Sequence, residues 1–344
     1  MKRICLPHTG LSDPLPGERG ERLVFYLAME EYVAAHLGEI VAPSPDGRRE
    51  AFFIWQVPPT VIFGRNQVMQ AEVCLDWCRS HDVALFRRKS GGGCVYSDWG
   101  NIMISYVTDA TDVAFTFDRY LRRIALALRH MGLPADRSGR NDILIGGRKV
   151  SGNAFFHLPK ASIVHGTLLF DTDFEAMEAA ITPSGGKIRS KGVSSVRQHV
   201  ANVRELLEAA GKPMDIETFK RRLIVDLSGP DTESVPLSWE DVREIRRIEE
   251  TYLDPSFLLG RNTGCSVEDT VRIEGIGDLV VASTLREGRI SDISVSGDFF
   301  LKEGVTLERL QAGIAAGIIG KDYSETLVNE YINNINLNQF FYTE

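Results

Sequence analysis

The sequence predicts an α+β protein, with a large mixed-sheet domain followed by a smaller α+β domain. Three observations lead there. Short apolar runs bounded by Gly, Pro, Asn and Asp stand among helical stretches, without the regular alternation of a doubly wound sheet. The segment FTFDRYLRRIALALRHMG carries an unbroken helical stripe. Past about residue 250, charge-rich helix gives way to strands separated by tight turns. A chain of 344 residues, 43% hydrophobic and 25% charged, has the composition of a globular protein and room for two cores. The domains are placed at 1–248 and 249–344.

Residues 10–20 and 42–49, rich in Pro, Gly and charge, are loops. Between them, ERLVFYLAMEEYVAAHLG sets Leu23, Leu27, Val33, Ala34 and Leu37 on one helical stripe. Glu30 falls inside it, either reaching water at the boundary or buried and in need of a partner. AFFIWQV, TVIFG, DVALFRR, CVYSD and NIMISYV are strands, with a helical piece at 69–80 among them. In the long helix, Phe117, Leu121, Ile124, Leu128 and Met131 make the apolar face, and Gly132 is placed to end it. DILIGGRKVSG gives two strands around a Gly-Gly pair, and VHGTLLFD a further one. SSVRQHVANVRELLEAAG carries a stripe on Val196, Val200, Val203, Leu206 and Leu207. In the smaller domain, VRIEGIGDLVVASTLREGRISDISVSGDFFL reads as three strands, followed by TLERLQAGIAAG and a last helix over a small core.

Composition excludes several function classes. Thirty-nine Lys and Arg against 47 Asp and Glu, a net charge of −8, argue against a nucleic-acid binder but allow a local basic pocket. No apolar run reaches the roughly 18 residues of a membrane span, so no membrane partner is expected. The first residues, MKRICLPHTGLSDP, have the charges of a signal peptide without its apolar stretch. The five cysteines at 5, 74, 78, 94 and 265 are too sparse for a disulfide framework, and a cytoplasmic location is expected. Cys74 and Cys78 lie one helical turn apart, without a second pair to complete a zinc site.

Three segments carry chemistry. In FRRKSGGGCVYSDWGN, Gly91, Gly92 and Gly93 leave bare N–H groups that can cradle phosphate oxygens, with Arg87, Arg88 and Lys89 beside them. The alternative is a flexible hairpin loop; a Walker loop is excluded, because no Gly-Lys-Ser/Thr follows. In RNDILIGGRKVSGNAFF, a two-residue turn at Gly146-Gly147 pairs Ile145 with Arg148, Leu144 with Lys149, Ile143 with Val150 and Asp142 with Ser151. Asp142, Leu144, Lys149 and Ser151 then share one face, with Asp142 and Lys149 on a diagonal of roughly 7–8 Å. That lysine is positioned for catalysis or anion binding, or makes a surface salt bridge. In IRSKGVSSVRQ, Ser194 or Ser195 caps the next helix, with Lys187, Arg189, Lys191 and Arg197 around an anion-favouring N-terminus or in a solvated basic loop. His165, on a strand beside Gly166, reads as a satisfied structural histidine. Together these features point to a nucleotide or other phosphate substrate.

The segments, in this order, resemble the lipoate–protein ligase A family: GRNQ (64–67), RRKSGGGCVYSDWGN (87–101), GRNDILIGGRKVSGNAFF (139–156), HGTLLFDTD (165–173) and KGVSSVR (191–197). The GRI…VSGDFF stretch (288–300) looks like that family's accessory C-terminal domain. The resemblance implies a large domain of the biotin/lipoate ligase type that binds lipoate and ATP. It implies an enzyme that joins lipoate (or octanoate) and ATP into lipoyl-AMP, then passes the acyl group to a lysine of a lipoyl domain. The carriers implied are those of 2-oxoacid dehydrogenase complexes and the glycine-cleavage carrier protein, with the enzyme a monomer.

Carried over by position, the resemblance has Arg88, Gly91, Gly92, Gly93, Cys94, Val95, Tyr96 and Asn101 hold the nucleotide. Asn141, Gly152, His165 and Gly166 join them, and the loop with Lys191 and Arg197 closes over the adenylate. Lys149 contacts the lipoate carbonyl and the phosphate, while Asp142 orients it or helps hold Mg²⁺ beside the phosphates. Leu144 is expected to line a slot for the dithiolane tail. The chain departs from the family at Ser97, where His is frequent, and at Cys94, where Ala is. It also lacks the Trp-Gly pattern at the start of the accessory domain. The rival within this superfamily is an ATP-independent octanoyl or lipoyl transferase with a cysteine nucleophile, and 139–165 contains no cysteine.

Overall fold

Apolar runs between turn residues become strands, several of them buried on both faces. The computed structural model describes residues 1–7, 22–138, 141–181, 199–229, 234–259 and 266–342. Within the larger body lie β1 (Lys2–Cys5), β2 (Glu50–Trp55), β3 (Thr60–Phe63), β4 (Ala84–Arg87), β5 (Val95–Ser97) and β6 (Asn101–Thr108). They are followed by β7 (Ala135–Ser138), β8 (Asp142–Ile145), β9 (Arg148–Leu158), β10 (Ala161–Leu169) and β11 (Val235–Pro236). The smaller body holds β12 (Val267–Ile273), β13 (Gly277–Arg286) and β14 (Arg289–Gly297).

Eight strands make one mixed sheet in the order β11-β1-β2-β6-β10-β9-β8-β7, with parallel pairing at β11-β1-β2 and antiparallel pairing beyond. A small sheet, β4-β3-β5, stands apart, and β12-β13-β14 form an antiparallel meander. The expected α+β fold with a large mixed sheet is therefore present.

One face of the large sheet is covered by helix Val113–His130, whose Leu121, Ile124 and Leu128 are buried, together with Val203–Ala209 and Ile216–Ser228. Asp112 caps the long helix by accepting from the Phe115 amide, and Gly132 takes φ +91° past its end. Helix Leu23–Ala35 lies on the other face under helix Trp239–Leu253. Sandwiched this way, it is buried almost all round rather than along the single stripe expected. Helix Trp239–Leu253 runs through residue 248 and packs into that core with Ile245 and Tyr252. The smaller body has its own core, with Leu279, Val281, Leu310, Ile314 and Phe341 fully buried.

Local readings change in two places. The helical piece at 69–80 is two short helices, Met69–Glu72 and Leu75–Ser80. In the described part of the 196–207 stripe, Val200–Asn202 leave the helix before it resumes at Val203, because Val200 bridges in parallel to Lys149 and the Ala201 amide bonds the Lys149 carbonyl at 2.9 Å. Residues 187–197, with Lys191, Arg197 and the capping serines, lie outside the described residues.

Candidate active site

The site is built around a hairpin and a glycine loop. Gly146 and Gly147, at φ +58° and +78°, form the turn between β8 and β9. Leu144 faces Lys149 and Ile145 faces Arg148, as the turn requires, but Val150 then bulges. Ile143 thereby pairs with Ser151 and Asp142 with Gly152, not with Val150 and Ser151. The bulge turns Ser151 to the buried side with Ile143 and Val150, which corrects the face expected for it. Gly152 takes the outer position instead, and a Cβ there would stand 2.9 Å from Lys149 Nζ. Glycine at 152 is thus what lets the lysine lie along the strand and reach Asp142 Oδ1 at 2.8 Å.

The glycine loop rests on Gly64, where a Cβ would strike the Gly92 carbonyl. Arg88 is buried beneath it, donating to the carbonyls of Gly91 (2.8 Å), Gly93 (2.7 Å) and Ile62 (3.3 Å) and to Ser90 Oγ (3.0 Å). Burial lowers its guanidinium to about 10, still cationic at neutral pH. Arg88 therefore shapes the loop and lines the cavity from below. The charges expected on either side of it are engaged elsewhere. Arg87 donates to the carbonyls of Gly64, Arg65, Gln67, Leu258 and Leu259, and Lys89 pairs with Glu31 at 2.7 Å.

A cavity of about 260 Å³ joins the two elements. Lys149, Asn141, Gly152, Gly92, Gly93 and Cys94 line it, and Leu23, Leu27, Ile62, Val95 and Met103 form its apolar end. His165 and Gly166 are on its wall, whereas Tyr96 and Asn101 are not among the lining residues. Tyr96 packs into the small-sheet core and Asn101 donates to its carbonyl at 3.3 Å, so both support the loop from behind. Leu144 does not line the slot either, and first-helix and sheet residues take that place. Gly91 faces a second, larger cleft of about 600 Å³ between the two bodies. Cys94 has its thiol pushed up to about 12, by burial first and by Glu72 second, and it is no thiolate nucleophile at neutral pH.

His165, read from the sequence as a satisfied structural histidine, has both ring nitrogens partnered. Its Nδ1 meets Glu30 Oε2 at 2.8 Å and its Nε2 meets Ser90 Oγ at 2.8 Å. Ser105 donates to Glu30 Oε1 at 2.5 Å and receives Trp55 Nε1–H at 2.9 Å. Glu30 is thus the buried, partnered carboxylate of the two alternatives, and the chain it starts ends at the glycine loop. Its position in an apolar stripe was the one signal for it. Asp298 and Phe300, from the smaller body, line the same cavity. Among the described residues no group of three or more His, Cys, Asp or Glu is placed to hold a metal, and no helix is long and apolar enough to cross a membrane.

Fold and cavity together define an α+β enzyme in which a hairpin lysine, an amide-rich loop and an apolar slot meet. Residues 23–228 match the family model of the lipoyl protein ligase A/B catalytic domain, and 262–344 that of the bacterial lipoate protein ligase C-terminus. The chain belongs to the lipoate–protein ligase family. It is 31% identical to lipoate-protein ligase LplJ of Bacillus subtilis, covering 92% of each chain. It is 32% identical to lipoate–protein ligase 1 of Staphylococcus aureus, over 89% of this chain and 90% of that one. Among solved structures, the bipartite lipoate protein ligase of Thermoplasma acidophilum superposes with a TM-score of 0.62 at 25% identity, covering 77% of this chain and 99% of that one. LipL1 of P. falciparum, in complex with lipoate, superposes at 0.69 with 18% identity, over 97% and 94% of the two chains.

Proposed function

We propose that the enzyme joins free lipoate, or octanoate, to AMP at the expense of ATP and passes the acyl group to a lysine of a lipoyl carrier domain. The observation that carries this reading is the single cavity in which Lys149, the bare backbone of Gly92 and Gly93 and an apolar slot converge. Attack of a carboxylate on the α-phosphate brings two anions together. A fixed cation and N–H donors offset that repulsion without reorganising at the moment of reaction. Lys149 serves as that cation, steadied by Asp142 at 2.8 Å. Leu23, Leu27, Ile62 and Met103 hold the acyl tail. The carboxylate oxygen bonds to phosphorus as pyrophosphate leaves. In the second step the carrier's amine attacks the acyl carbon and AMP departs.

Mg²⁺ characteristically uses one or two carboxylates plus phosphate oxygens, and Asp142 would supply one of them. Lys191 and Arg197 are proposed to close over the adenylate. The smaller body is proposed as the accessory domain; residues up to Leu259 pack on the larger body through Arg87.

The ATP-independent transferase reading needs a reactive cysteine beside the lysine. Cys94 is the cysteine lining the same cavity, and the direction of its pKa speaks against that role. Carriers of the 2-oxoacid dehydrogenase and glycine-cleavage type are proposed as acceptors; the Thermoplasma structure pairs its ligase with an E2 lipoyl domain. The test is pyrophosphate release with ATP and lipoate, followed by mass analysis of an apo lipoyl domain. Modification of that domain by octanoyl-acyl carrier protein without ATP would overturn the proposal.

A further inference from the structure

The smaller body reaches into the site by a segment that the ligation chemistry does not use. β14 ends at Gly297, whose amide bonds the Asn66 carbonyl at 2.9 Å. The next three residues cross the glycine loop. The Phe299 carbonyl accepts from the Gly92 amide at 3.3 Å and from Asn66 Nδ2 at 3.5 Å. The Phe300 ring lies over Gly92, 2.8 Å from where a Cβ would stand. Asp298 Oδ2 lies 3.3 Å from the corresponding position on Gly93, in the cavity that Lys149 and Arg88 also line. The Asp298 amide donates to the Asp278 carbonyl at 2.9 Å, which fixes the carboxylate from its own domain.

We propose that Asp298–Phe300 is a built-in occupant of the phosphate position, so that docking of this segment and binding of nucleotide exclude each other. The inference rests on the reading that the glycine loop holds phosphate. The Phe299 carbonyl takes the N–H that a phosphate oxygen would use. A carboxylate beside Gly93 supplies negative charge where the nucleotide would bring its own, and two like charges at close range disfavour each other. Phe300 fills the remaining space over the loop. The occupant is also poised to leave, because burial and the neighbouring Asp278 push the Asp298 carboxyl up to about 6. Nucleotide therefore binds by displacing the segment, and its apparent affinity is reduced by the fraction of molecules in which the segment is docked.

The experiment uses the full chain and α,β-methylene-ATP with Mg²⁺, with binding measured by calorimetry and hydrogen exchange followed at 91–93 and 297–300. In the wild type, nucleotide should protect 91–93 while 297–300 loses protection. Asp298→Asn keeps the side chain's shape but removes the charge that disfavours docking, so at neutral pH it should weaken apparent binding, whereas Phe300→Ala should tighten it by about fivefold or more, the lower range of coupling factors between linked sites. Opposite shifts in the two variants guard against a folding defect, which would weaken binding in both. Equal or weaker binding by Phe300→Ala, tighter binding by Asp298→Asn, or joint protection of the two segments, overturns the proposal while leaving nucleotide at the loop. If 91–93 gains no protection in any of the three proteins, the nucleotide reading itself fails and takes the inference with it.

Discussion

At the scale of residues, two side chains carry separable burdens. Lys149 sits on the cavity wall with no core contact to lose, so Lys149→Ala is expected to leave the melting temperature nearly unchanged. Its loss should cost adenylate formation about 100-fold or more, near 3 kcal/mol, the effect of deleting one preorganised charge-stabilising group. Pyrophosphate release by the variant measures this, and near-normal turnover would remove the role assigned to the lysine. Glu30 is the opposite case. Removing its carboxylate strands His165 Nδ1 and leaves the Ser105 O–H without its acceptor inside the protein, and an orphaned buried group costs about 1–3 kcal/mol. Glu30→Ala should thus lower stability visibly in denaturant unfolding, whereas Glu30→Gln, keeping shape and one acceptor, should lower it less. The sequence marked Glu30 as anomalous but could not name its partner, since His165 lies 135 residues away.

At the scale of elements, the glycine loop is held by what lies under it. Gly64→Ala would push a methyl into the Gly92 carbonyl, and backbone gives way less easily than a flexible side chain. The variant is expected to fold but to lose nucleotide affinity about tenfold or more, since a fixed donor displaced by even an ångström loses much of its effect. Unchanged affinity in calorimetry would show that the loop does not position the ligand. The hairpin turn was legible because Gly-Gly supplies two positive φ angles, yet the bulge at Val150 was not. Simple alternation carries no signal for an extra residue, so Ser151 was assigned to the wrong face. Strands with clear apolar runs, such as β2, β3, β6 and β10, were readable. β1, β7 and β11 were not, because KRIC, ADRS and VP are too short to show a period and owe their form to neighbouring edges. The buried stripe of helix Leu23–Ala35 was underestimated for a related reason: nothing local announces a second layer on top of it.

At the scale of the whole molecule, the two bodies meet over the site, and that junction was invisible in the sequence. The stretch VSGDFF was noticed, but its landing place depends on the meander β12-β13-β14 presenting its last strand to the glycine loop. The junction should respond to pH with a definite sign. In the docked state the Asp298 carboxyl is raised to about 6, by the desolvation that docking brings first and by Asp278 of its own domain second, against the opposing pull of Arg272, Arg88 and Lys149. A raised acid favours its protonated form, so the docked state gains its full benefit below the ordinary aspartate value of about 3.9. That benefit is lost as pH rises through about 6. A second contact crosses near the same junction: His157 Nε2 lies 3.2 Å from Glu303 Oε1, an ion pair only while the ring is protonated. Wild type alone therefore cannot apportion the effect. Comparison with Asp298→Asn does so, because that variant keeps His157 and Glu303. Hydrogen exchange at 297–300 should therefore quicken between pH 5 and 7.5 more steeply in the wild type than in the variant, after correction for the intrinsic pH dependence of exchange. Identical corrected profiles would mean that the carboxylate does not feel the cavity it faces.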